Sequence, residues 1–367
     1  MKKSLIALAV LAASGAAMAQ SSVTLFGRLD AAVGYIDTEV SSNNPLNVKP
    51  SQSQTVVNSS TFNTTYWGIK GTEDLGGGLK ANFNLQSNFN IDTGAIGKGQ
   101  SLFERNATVG LSGGFGTVNL GRQYTPYYAI YASTAMIGNA NLDAETVYGA
   151  GLVQGVTRAS NSIRYDSPSF SGFTVSGLVG LGENDTLTSN ATAVPPVANT
   201  NNLGDSTDTY SLNVMYKAGP LLVGYGYQQR KLAQATVGAP QDELSYNMVG
   251  ASYDFGMAKI TGGYQKVEND LAGAANQEDD EFNVGVSVPV GPATTLWAGY
   301  ADSQSDFGNG NSLDSNGYTL AATYQLSKRT KLYGAYAYTE IESSKDQGVT
   351  IDNTQTDKFA VGVVHLF

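Results

Sequence analysis

LKANFNLQ, residues 79–86, carries an apolar side chain at every odd position and a polar one at every even position. A period of two belongs to the β-strand, whose successive side chains leave opposite faces. One face of this ribbon therefore meets an apolar medium and the other meets water. The same alternation fits residues 23–33, 212–216, 221–227, 296–300, 332–338 and 359–367, and no helical periodicity is apparent after residue 19.

The connections between ribbons alternate in size. Short, glycine-marked turns fall at 73–78, 112–116, 167–172, 217–220, 254–257, 289–294 and 327–330. Long polar stretches fall at 38–62, 90–101, 124–159, 183–208, 232–242, 269–279, 303–315 and 343–355. Seven turns and eight loops imply sixteen strands, counting one before the first loop and one after the last. In an antiparallel meander this rhythm collects all turns at one end and all loops at the other, as in an outer-membrane barrel. The expected fold is all-β, a 16-stranded antiparallel transmembrane β-barrel with short periplasmic turns and long extracellular loops. Tyr216, Tyr225, Tyr253, Tyr264, Tyr300, Tyr324 and Tyr333 fall near strand ends, where aromatic side chains suit the membrane–water interface.

Composition agrees. Residues 1–19 read as a signal peptide: MKK, then an apolar run, then Ala17-Met18-Ala19 before Gln20. Its removal leaves residues 20–367 as the barrel domain and, by deleting Lys2 and Lys3, takes the formal charge from −10 to −12. The 43 Gly and 21 Tyr suit twisted strands, tight turns and aromatic girdles rather than a helical enzyme. There is no cysteine, which removes thiol catalysis and cysteine metal sites. The acidic balance speaks against nucleic acid, whose phosphates need clustered Lys and Arg. The single histidine, His365, lies on the last strand at lipid-facing parity, so no pocket surrounds a general base and no enzyme is expected.

Sixteen strands about 4.8 Å apart and tilted by about 40° close to a diameter of roughly 30 Å, too wide for side chains to fill. The lumen must hold water, and the inward parity of Arg28, Asp30, Lys80, Asn82, Asn84 and Gln86 agrees. Such a tube needs a narrower point. The 124–159 loop has no strand alternation, is rich in Tyr and Ala, and over residues 123–152 carries only Asp143 and Glu145 as charges. At about 3.4 Å per residue it is long enough to cross half the lumen and return.

RNATVGLSGGFGTVNLGRQ (105–123), GTEDLGGGLKA (71–81), SVTLFG (22–27), NSIRYDSP (161–168) and the terminal Phe367 together resemble the general porins of β-proteobacterial outer membranes. The resemblance covers the whole chain after the signal peptide. It implies a homotrimer, an inward-folded third loop as constriction, and passive diffusion of ions and small hydrophilic solutes. It also implies a ladder of basic side chains facing loop acids: Arg28, Arg105 and Arg158 opposite Asp143 and Glu145. One rung departs, because Thr65-Tyr66-Trp67-Gly68 has Tyr66 where the pattern has arginine, which weakens the positive wall. The parity of Ala107, Val109 and Leu111 would turn Arg105 outward, whereas the resemblance places it inward. Lys70, Arg122 and Arg164 are secondary pore-wall candidates, read as solvated charges. Phe367 resembles the signal read by the barrel assembly machinery.

Acids cluster at Glu183, Asp185, Asp205 and Asp208, at 278–281, and at Glu340, Glu342, Asp346 and Asp352. They serve solubility, or bind Ca²⁺ or Mg²⁺ that bridges them to lipopolysaccharide; no other cofactor is expected. They oppose the arginines, so the sequence leaves the sign of selectivity open. The alternative function is a substrate-selective channel for sugars or anions, with Tyr124, Tyr127, Tyr128 and Tyr131 as the hint of an aromatic slide.

Overall fold

The computed structural model describes residues 22–42, 51–97, 101–137, 140–148, 157–182, 208–231, 243–270, 276–308, 310–345 and 349–367. Residues 1–19, read above as a signal peptide, and the acids Glu183, Asp185, Asp205 and Asp346 lie outside the described residues. The strands are β1 (Ser22–Ser42), β2 (Gln52–Ser59), β3 (Tyr66–Gly76), β4 (Leu79–Asn88), β5 (Asn106–Gly113), β6 (Gly116–Tyr124), β7 (Arg158–Asp166) and β8 (Phe173–Gly180). They continue as β9 (Thr209–Ala218), β10 (Leu221–Lys231), β11 (Glu243–Asp254), β12 (Lys259–Asp270), β13 (Gln277–Val290), β14 (Thr294–Asp306), β15 (Ser312–Gln325), β16 (Thr330–Lys345) and β17 (Val349–Leu366).

These seventeen segments make sixteen wall strands, because β2 and β3 are two halves of one. Both pair with β1, β3 along its first half and β2 along its second. Residues 60–65 interrupt them and fold inward, with Phe62 1% exposed against Tyr333. Every other neighbour is antiparallel and sequential, and β1 pairs with β17 from Arg28↔Leu366 to Ser42↔Asp352. The sheet closes on itself, so no edge is left unpaired.

The alternation lands as read. Val109, Leu111, Leu120, Ile163, Val284 and Leu296 are exposed on the outer face, where lipid is the solvent. Tyr225, Tyr253, Tyr264, Tyr300 and Tyr324 join them. Tyr333 does not: it has inward parity, is 4% exposed, and donates its hydroxyl to Asp30 at 2.7 Å. Several stretches read as loops are strand instead. β1 runs on to Ser42 and β17 begins at Val349, for example. Beyond the membrane both faces of a hairpin meet water, so the ladder continues while its apolar signature stops. The acids at 278–281 accordingly belong to β13 and split by parity: Asp279 and Glu281 are buried inward, whereas Glu278 and Asp280 face out. Among the described residues no group of three or more His, Cys, Asp or Glu is disposed to hold one metal ion.

The first and last strands meet in the closing seam. Gly27 and Phe367 exchange reciprocal backbone hydrogen bonds at 3.1 Å, and a Cβ on Gly27 would sit 2.5 Å from the Phe367 ring. Gly27→Leu should therefore unseat the terminal aromatic and lower the yield of folded barrel severalfold, read as heat-modifiable gel mobility after refolding. An undiminished folded fraction would contradict this.

The apolar core lies inside the barrel, beneath the third loop. Tyr127 and Ile130 pack on Leu244, Tyr246, Met248 and Val267. Met136, Ile137, Leu142, Ala144, Val147 and Tyr148 pack with Phe62, Ala301 and Ala337. Burying each large side chain contributes about 1.5–3 kcal/mol, which holds the loop to the wall.

Candidate pore constriction

The loop begins with a helix, contrary to the expectation of none. Thr125 caps α1 (Pro126–Thr134), its hydroxyl oxygen accepting from the Tyr128 N–H at 3.3 Å. Pro126 cannot donate to a ladder, so it ends β6, and its fixed φ suits the first helical turn. Tyr127, Ile130 and Thr134 face the wall. Tyr128 and Tyr131, half-buried, stack with Tyr124 on the other side: Tyr124–Tyr128 at 4.8 Å and 9°, Tyr128–Tyr131 at 5.9 Å and 27°. Both faces of the helix are aromatic or aliphatic, which is why no apolar stripe betrays it in nine residues.

A belt of glycines receives the loop. Gly224 pairs with Gly250, Gly250 with Gly263, and Gly285 with Gly299, all at inward parity. A Cβ on Gly224 would meet Ile130 Cδ1 at 2.5 Å, one on Gly250 would meet Thr134 Cγ2 at 2.7 Å, and Gly285 and Gly299 lie under Met136. At its far end the loop joins the inward knuckle of the wall: the Leu142 N–H donates to the Thr61 carbonyl at 3.2 Å, and Asn63 Nδ2 to the Ile137 carbonyl.

The arginines are left on the wall the loop does not cover. Arg28 Nε donates to the Thr64 carbonyl at 2.9 Å, and its guanidinium lies 5.5 Å from the Tyr66 ring. Arg105 lies 4.4 Å from Tyr66 and 5.6 Å from Tyr124, and donates to the inward Gln86 and Asn88. It precedes the first residue of β5, so the outward parity of Ala107, Val109 and Leu111 does not bind it. Arg158 lies 4.2 Å from Tyr124, whose hydroxyl accepts from Nη2 at 2.5 Å. Guanidinium and phenol thus alternate: Arg28, Tyr66, Arg105, Tyr124, Arg158. Attraction of a cation to a ring quadrupole holds each charge without neutralising it. The nearby Asp30 carboxylate instead accepts from the Phe62 and Asn63 N–H groups and from Tyr333.

Asp143 and Glu145 do not face this ladder. They are 1% and 2% exposed, on the short 3₁₀ segment that packs against β14–β16. Asn283 on β13 donates to Glu145, and Asp143 Oδ2 accepts from the Ile137 N–H at 3.4 Å. Among the described residues the ion pairs are Arg164–Asp166, Lys266–Glu268 and Lys266–Glu278, none of them on the ladder. Of the secondary candidates, Lys70 is inward and exposed, 4.9 Å from the Phe26 ring. Arg164 is inward but paired with Asp166 at 2.7 Å. Arg122 pairs with Ala107 in the register that puts Val109 and Leu120 outside, and its guanidinium reaches the Glu104 carbonyl and the Ser160 hydroxyl, so it belongs to the outer face.

Desolvation, and secondarily the neighbouring Asp143, hold the Glu145 carboxyl well above the usual carboxylate range. A folded pKa above the unfolded one favours docking fully below about pH 4.3 and loses that contribution as pH climbs through the raised value. Protease cleavage within the loop should accordingly speed up with rising pH, and Glu145→Gln should abolish that dependence. Identical pH profiles for the two proteins would refute the assignment.

Residues 5–344 match the family model described as Gram-negative porin. The chain belongs to the Gram-negative porins. This porin is 36% identical to outer membrane porin protein 32 of Delftia acidovorans, over 95% of its own length and 92% of the relative's. It is 31% identical to an outer membrane porin protein of Bordetella pertussis, over 96% and 98%. Among solved structures it resembles an anion-selective porin from Comamonas acidovorans, with TM-score 0.75 and 29% identity over 95% of this porin and 100% of that chain. Family and fold make it an outer-membrane channel rather than an enzyme.

Proposed function

We propose that this porin is a water-filled channel, working as a homotrimer, through which small hydrophilic solutes and ions diffuse passively with a preference for anions. The observation that carries the reading is three guanidiniums on one wall, seated on tyrosine rings, with no carboxylate in ion-pair contact among the described residues. Size filtering falls to the third loop. Its acids act as anchors to the far wall rather than as the negative side of a transverse field. Fixed cations lining a narrow aqueous path attract anions and repel cations. The anion-selective name of the Comamonas acidovorans structure supports the same sign.

The test is the reversal potential of single trimers in planar bilayers across a KCl gradient. Anion selectivity that weakens as salt rises supports the reading, and a cation-selective reversal potential at low salt overturns it.

A further inference from the structure

The tyrosines at the constriction are not disposed as a slide for sugars. A slide offers ring faces to the water, whereas Tyr124 and Tyr128 stack on each other and Tyr128 stacks on Tyr131. At the ladder the Tyr66 and Tyr124 rings each have guanidiniums beside them. Arg105 has two rings beside it, while the half-buried Arg28 and Arg158 have one each, so each terminal cation has one face that no ring covers. They also keep donors on their Nη groups: among the described residues Arg28 makes its one hydrogen bond through Nε and Arg158 its one through Nη2, and Arg158 Nε is buried.

A planar cation with a free face and free edge N–H groups has a planar complement. A carboxylate takes two edge N–H groups side by side, and a conjugated ring stacks on a guanidinium face as an aliphatic one does not. Resting on the anion-favouring reading above, we infer that Arg28, Tyr66, Arg105, Tyr124 and Arg158 form a binding site for aromatic carboxylates. Tyr66 seats the Arg28 plane and Tyr124 the Arg158 plane, so the two rings position the cations that give the preference.

The probe is chloride current through wild-type trimers, titrated with benzoate, cyclohexanecarboxylate or acetate at equal pH and ionic strength. Benzoate should reduce the current saturably, with a half-effect concentration about three- to tenfold below that of cyclohexanecarboxylate, the ratio that π stacking on a cation supplies. Tyr66→Leu should narrow the gap between the two compounds, and Tyr66→Phe should keep it at the wild-type ratio. Equal or non-saturating effects of benzoate and cyclohexanecarboxylate on the wild type overturn the inference while leaving anion selectivity standing. Cation selectivity in KCl alone would instead remove the reading on which it rests. The wild-type comparison decides the matter even if Tyr66→Leu fails to assemble.

Discussion

Arg105→Gln combined with Arg158→Gln lowers the anion-to-cation permeability ratio by about tenfold at 0.1 M salt. A unit charge about 7 Å from the path of a permeating ion changes the ion's energy by about 0.3 kcal/mol at the dielectric constant of water and about 0.1 M salt. The sign is opposite for anion and cation, so two lost charges act on both. The net charge of the chain pulls the other way, at −10, and the outward Glu278 and Asp280 belong to that excess. Screening confines those distant acids to a small share, because the Debye length is about 10 Å at 0.1 M. The arginines dominate because they stand at the narrowing and because Asp143 and Glu145 are buried behind the loop, 1% and 2% exposed. Replacing the same pair by lysine keeps the charge, loses the stacking, and should retain most of the selectivity. Reversal potentials of the glutamine variant equal to those of the wild type would refute the argument.

The second large effect concerns bore rather than charge. Gly224→Val with Gly250→Val fills the trough that receives α1, against Ile130 and Thr134. Overpacking costs about 1–3 kcal/mol per site, and the loop relieves it by leaving the wall. Single-channel conductance should rise by about half or more, since the barrel behind the loop is a tube of roughly 30 Å. Liposome swelling should admit larger oligosaccharides at the same time. Ala298→Val, on the outer face of β14, is the control for the barrel itself and should leave conductance unchanged. If the double variant conducts as the wild type does, the glycine belt is not what seats the loop.

The elements differ in how far the sequence discloses them. β4 is legible in LKANFNLQ alone, because lipid outside and water inside impose a period that each strand obeys locally. Pro126 correctly marks the end of β6 but conceals α1, whose tyrosines are equally at home on the wall side and the lumen side. Arg28 and Arg158 of the ladder lie beside the Tyr66 and Tyr124 rings. Arg105 joins them because the chain before β5 escapes the parity that would turn it out. The acids do not follow the resemblance: Asp143 and Glu145 are the only acids in the described part of the loop, and nothing in the sequence marks Asn283, 138 residues further on, as a partner of Glu145. The glycine belt is present in the sequence as inward-facing glycines, but its purpose appears only with α1 lying across it.

The wall is legible in the residues alone: sixteen strands, their faces, their alternating connections and the closing seam. Each follows from short-range periodicity, because a strand between lipid and water has one favourable orientation at every residue. The content of the lumen is set only once the chain is folded: which side of the loop meets the wall, which cations stand without an ion partner, and which acids are buried. There every side chain chooses between water and a neighbour more than a hundred residues away, and that choice is set by proximity across the barrel.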